Sequence, residues 1–273
     1  MPPARRTSMI EPVTVHGHAK PRPVQAPARR RAPSGARRRT ILLLGAAVAL
    51  AAVAAGVLIA VSRTGSGSGF TSTSTLAGAA ETNALLAGIP QHGRTLGSPQ
   101  APLTLVEYGD LQCPVCAEWA GQALPTIVAR YVRTGRVRIE FRGLHFIGPD
   151  SEIALRAALA AAPFGRFWHV VDLLYRNQGE ENRGAAGDGW VTESLLESAV
   201  ASFGLDPQRV LAGRSTSAVD GALATADAQA RADAVPGTPT FELRRGIGPL
   251  EPLRLTTFDP RELSALIDRA LAE

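Results

Sequence analysis

The sequence predicts an α/β fold built as a β-α-β unit, a helical block and a β-β-α ending. Three observations predict it. Residues 103–108 (LTLVEY) are apolar except for Thr104 and Glu107, as expected of a central strand buried on both faces. Residues 137–141 alternate after Gly135 and read as a second strand, parallel to the first because a helical stretch separates them. Residues 150–234 carry little except helical patterning before strand-like residues return at 239–243.

The first element is a tail. Residues 1–40 hold ten Lys/Arg against one acid, Glu11, with seven prolines and no periodic apolar pattern, which reads as disordered and cytoplasmic. The chain's net charge of +5 is the sum of +9 in this tail and −4 elsewhere, so the basic balance does not indicate a nucleic-acid partner. Residues 41–61 follow without a charge or a proline, and 21 residues at about 1.5 Å each span a bilayer core of about 30 Å. Arg37, Arg38 and Arg39 precede this run and only Arg63 follows closely, which places the N-terminus inside and the remainder outside the cell membrane. A single-pass anchor is the reading; a cleaved signal is the competing one. Such a signal has a shorter apolar core, although Arg38-Arg39 resembles a twin-arginine export signal. Residues 62–84 are rich in Gly, Ser and Thr and read as a flexible linker. The folded domain is expected at 85–273, with its helical insertion at about 148–234.

Within the domain, a helix is expected at 117–132 between the two strands. The insertion offers helices at 151–162, 167–176, 192–203 and 216–232, a further start at Asp206-Pro207, and a loop at 179–189. After the strand at 239–243, residues 252–256 read as a short strand. The last helix follows at 259–272, with Asp259 as cap and Pro260 at its first position.

The chain has two cysteines, placed as Cys113-Pro114-Val115-Cys116 between a strand and a helix. At a helix start the unpaired N–H groups and the helix dipole stabilise a thiolate on the first sulfur, and the second lies one turn further in. Strand, Cys-x-x-Cys, helix is therefore the context of thiol–disulfide chemistry. A structural zinc would need two more ligands, and His16, His18, His92, His145 and His169 are scattered, so no metal is expected. A purely structural disulfide would close too short a loop to stabilise much. A copper-delivering pair would be spaced as Cys-x-x-x-Cys, one residue longer than the spacing here. No Gly-rich phosphate loop follows a strand, so no organic cofactor is expected. Glu107 stands inside the apolar strand six positions before Cys113. If buried, its pKa is raised; the other reading is a strand-end acid reaching solvent. Asp110 is expected to fix the loop rather than to react.

Val235-Pro236-Gly237-Thr238-Pro239 opens the strand that follows the insertion, about 120 residues after the cysteines. With Cys113-Pro114-Val115-Cys116 and the order of elements, it resembles the thioredoxin fold with a helical insertion. Within that superfamily the chain is similar to the DsbA-like thiol–disulfide oxidoreductases of membrane-anchored, actinobacterial type. The resemblance covers residues 90–271 and includes Phe167-Trp168 and the stretch from Leu173 to Gln178. It implies a cis Thr238-Pro239 bond facing the dithiol, with the Thr238 backbone free to pair with a substrate segment. Pro114, Val115, Thr238 and Pro239 then contact substrate. Cys113 is the exposed reacting sulfur, Cys116 the shielded resolving one, and Glu107 moves the proton of Cys116. His145 and Trp168 either line the groove or pack.

The implied activity is disulfide formation in exported proteins by an extracytoplasmic domain, with thiol-bearing clients and a redox partner that recharges the dithiol. Val115 stands where strongly oxidising relatives carry a histidine, which leaves a reductase or isomerase role open. A reading of another class is a non-redox, chaperone-like peptide-binding module.

Overall fold

The computed structural model describes residues 75–179 and 189–273. The expected tail at 1–40, the apolar run at 41–61, residues 62–74 of the expected linker and residues 180–188 lie outside them. Among the described residues no helix is long and apolar enough to cross a membrane.

In chain order the elements are α1 (Ala79–Leu86), the short strands β1 (Gln91–His92) and β2 (Thr95–Leu96), β3 (Leu103–Asp110) and α2 (Pro114–Gln122). Next come α3 (Leu124–Ile127), running into a π turn (Val128–Val132), and β4 (Val137–Leu144). The insertion holds α4 (Pro149–Ala161), α5 (Phe167–Arg176), α6 (Glu193–Ala201), α7 (Pro207–Leu211) and α8 (Ser217–Ala232). β5 (Thr240–Arg245), β6 (Glu251–Leu253) and α9 (Pro260–Ala272) complete the domain.

All eight residues of β3 are buried, which is why its sequence reads as one apolar run. It pairs in parallel with β4, from Leu103 opposite Val137 to Asp110 opposite Leu144, and antiparallel with β5 on its other side. The sheet order is β1-β2-β4-β3-β5-β6. Alternation along the strands divides the core between two faces. Leu103, Leu105, Val137, Ile139, Phe141 and Phe241 join the cluster of Trp119 and Trp168, while Val106, Tyr108 and Leu144 pack with Ala230, Val235 and Leu250. Asp206 and Asp259 cap α7 and α9, each before a proline at the first helical turn.

The structure corrects the expected elements in four places. Ala79–Leu86 is helix rather than linker, because Ala79, Thr82 and Leu86 are buried and Thr82 donates to Asp172 of α5 at 2.5 Å. The helix expected at 117–132 breaks at Ala123, where Pro125 withholds an N–H from the ladder, and resumes as α3 and the π turn. β1 and β2 add a hairpin to the edge of β4 that two-residue strands cannot announce by periodicity. β6 spans Glu251–Leu253 rather than 252–256, fixed by its pairing with Phe241, Glu242 and Leu243.

Candidate functional site

The site forms where β3 ends and α2 begins. Asp110 ties down the turn between them: its Oδ1 accepts from Gln112 N at 2.8 Å and its Oδ2 from Phe146 N at 3.1 Å and Ile147 N at 3.3 Å. Its backbone carbonyl accepts from Cys113 N at 3.0 Å. Cys113 is then the N-cap of α2, with its sulfur accepting from Cys116 N at 3.2 Å and Pro114 at the position where no N–H is needed. Gln178, beyond the end of α5, holds the turn from outside by donating to Leu111 O at 2.7 Å and Cys113 O at 3.2 Å.

Both cysteines are thiols in this structure. A hydrogen bond from the Cys116 thiol does most to favour a Cys113 thiolate, and contacts with Thr238 and the N–H groups of Cys116 and Val115 add to it. Against the cost of burial they pull the Cys113 pKa down to about 6. Cys116 moves the other way, well above its ordinary value, because it is desolvated and lies beside the sulfur it supports. The pair is thus split into a reactive and a reserve sulfur.

Glu107 sits in β3 opposite Phe141 on one side and Phe241 on the other, and it is buried, which settles against an acid reaching solvent. Desolvation pushes its pKa up to about 8, opposed by the Trp119 indole and assisted by the charge of Cys113. Neither Glu107 Oε1 nor Trp119 Nε1 makes a well-formed hydrogen bond. The charge of Glu107 also acts on Cys116, disfavouring its thiolate.

The Thr238-Pro239 bond is cis, and Thr238 O lies 3.5 Å from Cys113 Sγ. This approach overturns one expectation. Cys113 is 3% exposed rather than open, with Thr238 O set against its sulfur, while Val115 is 45% exposed. Val115 is the ridge between two grooves. One, of about 630 Å³, is lined by Thr238, Pro239, Phe258, Leu255, Asp233 and Glu242. The other, of about 650 Å³, is lined by Pro114, Glu118, Tyr175 and Gln178.

The structure therefore gathers Glu107, Cys113, Pro114, Val115, Cys116, Thr238 and Pro239 around one point. It does not bring Trp168 there: this side chain is buried against Phe141 and Phe167 and donates to Arg94 O at 3.0 Å. His145 lies in a neighbouring depression, 3.5 Å from Asp227, with Phe146, Val235 and Pro236. Among the described residues no group of three or more His, Cys, Asp or Glu is placed to hold a metal ion. Sequence reasoning assigned no role to Tyr175 and Gln178, although both fall in the stretch similar to the family. Tyr175 donates to Asp110 O at 3.3 Å, and burial pushes its pKa well above the ordinary value. Asp233 and Glu242 gave no signal at all.

A family model described as Thioredoxin matches residues 90–245, more than half of the chain. A probable disulfide bond formation protein D of Bacillus cereus is 35% identical over 109 residues, covering 39% of this chain and 48% of that protein. The chain thus spans about half the length of that curated relative. Among solved structures, oxidised BdbD of Bacillus subtilis superposes with a TM-score of 0.57 at 22% identity over 68% of this chain and 97% of the other. The alpha-DsbA1 of Wolbachia pipientis superposes with a TM-score of 0.56 at 17% identity, over 70% and 96%. These two likenesses speak to the fold.

Proposed function

The chain belongs to the thioredoxin family, and from that premise we propose that it is a protein thiol–disulfide oxidoreductase that forms disulfides in exported proteins. The observation that carries the reading is the split dithiol, with the Cys113 sulfur at the start of α2 drawn to a pKa of about 6 beside the cis Thr238-Pro239 bond. The Bacillus relative named for disulfide bond formation supports the same direction. Residues 41–61 as a membrane anchor, with the catalytic domain outside the cytoplasm, belong to this proposal. So does a redox partner that reoxidises the dithiol.

In the oxidising direction a client thiolate attacks Cys113 Sγ of the enzyme disulfide. The Cys113–Cys116 bond breaks and Cys116 leaves as a thiolate, which takes a proton from Glu107. A second client thiolate attacks the client sulfur of the mixed disulfide and expels the Cys113 thiolate. Two electrons pass from client to enzyme, and the client leaves with a disulfide. The low pKa of Cys113 makes it the better leaving group in the last step. Beyond its backbone N–H, Val115 offers that thiolate nothing: its side chain carries no charge and no hydrogen-bond donor, so the enzyme is a milder oxidant than one carrying histidine there.

The test uses the oxidised full-length protein and a peptide with two cysteines. Stoichiometric oxidation of the peptide, with a covalent complex trapped by Cys116→Ala, is the expected result. Peptide binding without oxidation would instead leave a non-redox chaperone-like module, and reduction of insulin without dithiol oxidation a reductase.

A further inference from the structure

On the sheet face turned away from the cysteines, three carboxylates meet two guanidinium groups. Arg142, 4% exposed, donates from Nε to Glu140 at 2.8 Å and from Nη1 to Asp233 at 3.0 Å. Arg244 reaches the other oxygen of Glu140 at 3.4 Å. Tyr108 adds its hydroxyl to Asp233. Glu242, two residues before Arg244 on β5 and 5% exposed, has its Oε2 buried without a hydrogen-bond partner. Burial and the charge of Asp233 push its pKa up, and the charge of Arg142 only partly opposes them. A buried carboxyl left this way is costly, and cores seldom keep one without a use for it.

Its position supplies the use. Glu242 and Asp233 line the same groove as Val115, Thr238 and Pro239, and on the thiol–disulfide reading this is the groove in which a client segment pairs with the Thr238 backbone. Arg254, also in the groove lining, is exposed and pairs with neither acid among the described residues. We propose that Glu242, with Asp233 beside it, is a specificity determinant that favours clients carrying a lysine or arginine close in sequence to the reacting cysteine. The client cation supplies the partner that Glu242 Oε2 lacks. A neutral client leaves Glu242 uncompensated, and an acidic one adds repulsion. This inference rests on the thiol–disulfide reading above.

The test measures kcat/KM for the full-length protein on dithiol peptides in which one residue, lysine or glutamine, is walked through the positions flanking the first cysteine. At one or two positions the lysine peptide reacts about fivefold to tenfold faster, and the advantage shrinks with added salt. The lysine-to-glutamine ratio falls to about one in Glu242→Gln and is retained in Asp268→Asn, a substitution on α9 outside the groove lining. Because the ratio is internal to each variant, partial loss of folded protein does not alter it. Equal rates for lysine and glutamine peptides at every position, or a ratio that survives Glu242→Gln, overturns the preference alone. No oxidation of any peptide, lysine or glutamine, overturns the redox reading beneath it.

Discussion

The two faces of the central sheet each bury a carboxyl group that lacks a complete set of partners, and they do so for different chemistry. On the cysteine face Glu107 stands among Phe141, Phe241 and Trp119, with no ion pair and a pKa raised to about 8. On the α8 face Glu242 stands beside a network that links Arg142, Arg244, Glu140, Asp233 and Tyr108, with Arg244 Nε left without a partner. An isolated acid in apolar surroundings is suited to exchanging a proton near neutral pH. An acid left over from an ion-pair network is suited to receiving a cation. The difference teaches that an unpaired buried carboxyl is defined by its neighbours rather than by its burial.

The comparison breaks most completely at the dithiol. Cys113→Ser should reduce dithiol oxidation to the uncatalysed background while leaving the α8-face network and its stability intact, read by peptide oxidation and thermal melting. Next comes Glu107→Gln, which should slow the step that protonates Cys116 by about 100-fold, measured as single-turnover formation of the mixed disulfide.

The same variant has a pH signature. The folded pKa of Glu107 is raised from 4.5 to about 8, so its contribution to stability is fully present below 4.5 and is lost as pH rises toward 8. The melting temperature of Glu107→Gln should therefore gain on wild type between those values; a constant difference would contradict the buried, unpaired acid. For Cys113 the sign is opposite. Its folded pKa is lowered from 9.0 to about 6, so its stabilisation of the reduced protein is fully present above 9.0 and is lost as pH falls through about 6. Ultraviolet thiolate absorbance of the reduced protein reads that titration directly.

On the other face, Arg142→Met should cost about 2–4 kcal/mol, because it leaves Asp233 without an ion-pair partner and Glu140 with Arg244 alone, while the Cys113 titration stays where it was. The smallest effect is expected at Asp268→Asn. This residue pairs with Arg130 at 3.3 Å where both side chains are about half exposed, and removing the pair should change stability by about 0.5 kcal/mol or less.

Much of this was legible in the chain because its causes are local. β3 announces itself by being apolar on both faces, and Asp206-Pro207 and Asp259-Pro260 carry their own caps and helix starts. The Cys-Pro-Val-Cys turn and the Thr-Pro bond were placed by their sequence contexts, although their convergence at one point is tertiary. What escaped depends on partners far along the chain. The helix at Ala79–Leu86 is held by Asp172 and by Arg133, which donates to Leu85 O and Ala87 O. Burial of Cys113 depends on a segment 125 residues away. Glu242 alternates with Phe241 and Leu243 as a solvent-facing residue would, and only the docking of the α8 end over that face buries it.

The central claim is that the Cys113–Cys116 pair donates its disulfide to clients. Its equilibrium reduction potential in the full-length protein, titrated against glutathione, tests that most directly. A two-electron transition at about −120 to −180 mV is the predicted result. A value near −250 mV or lower, or no two-electron transition, would contradict it.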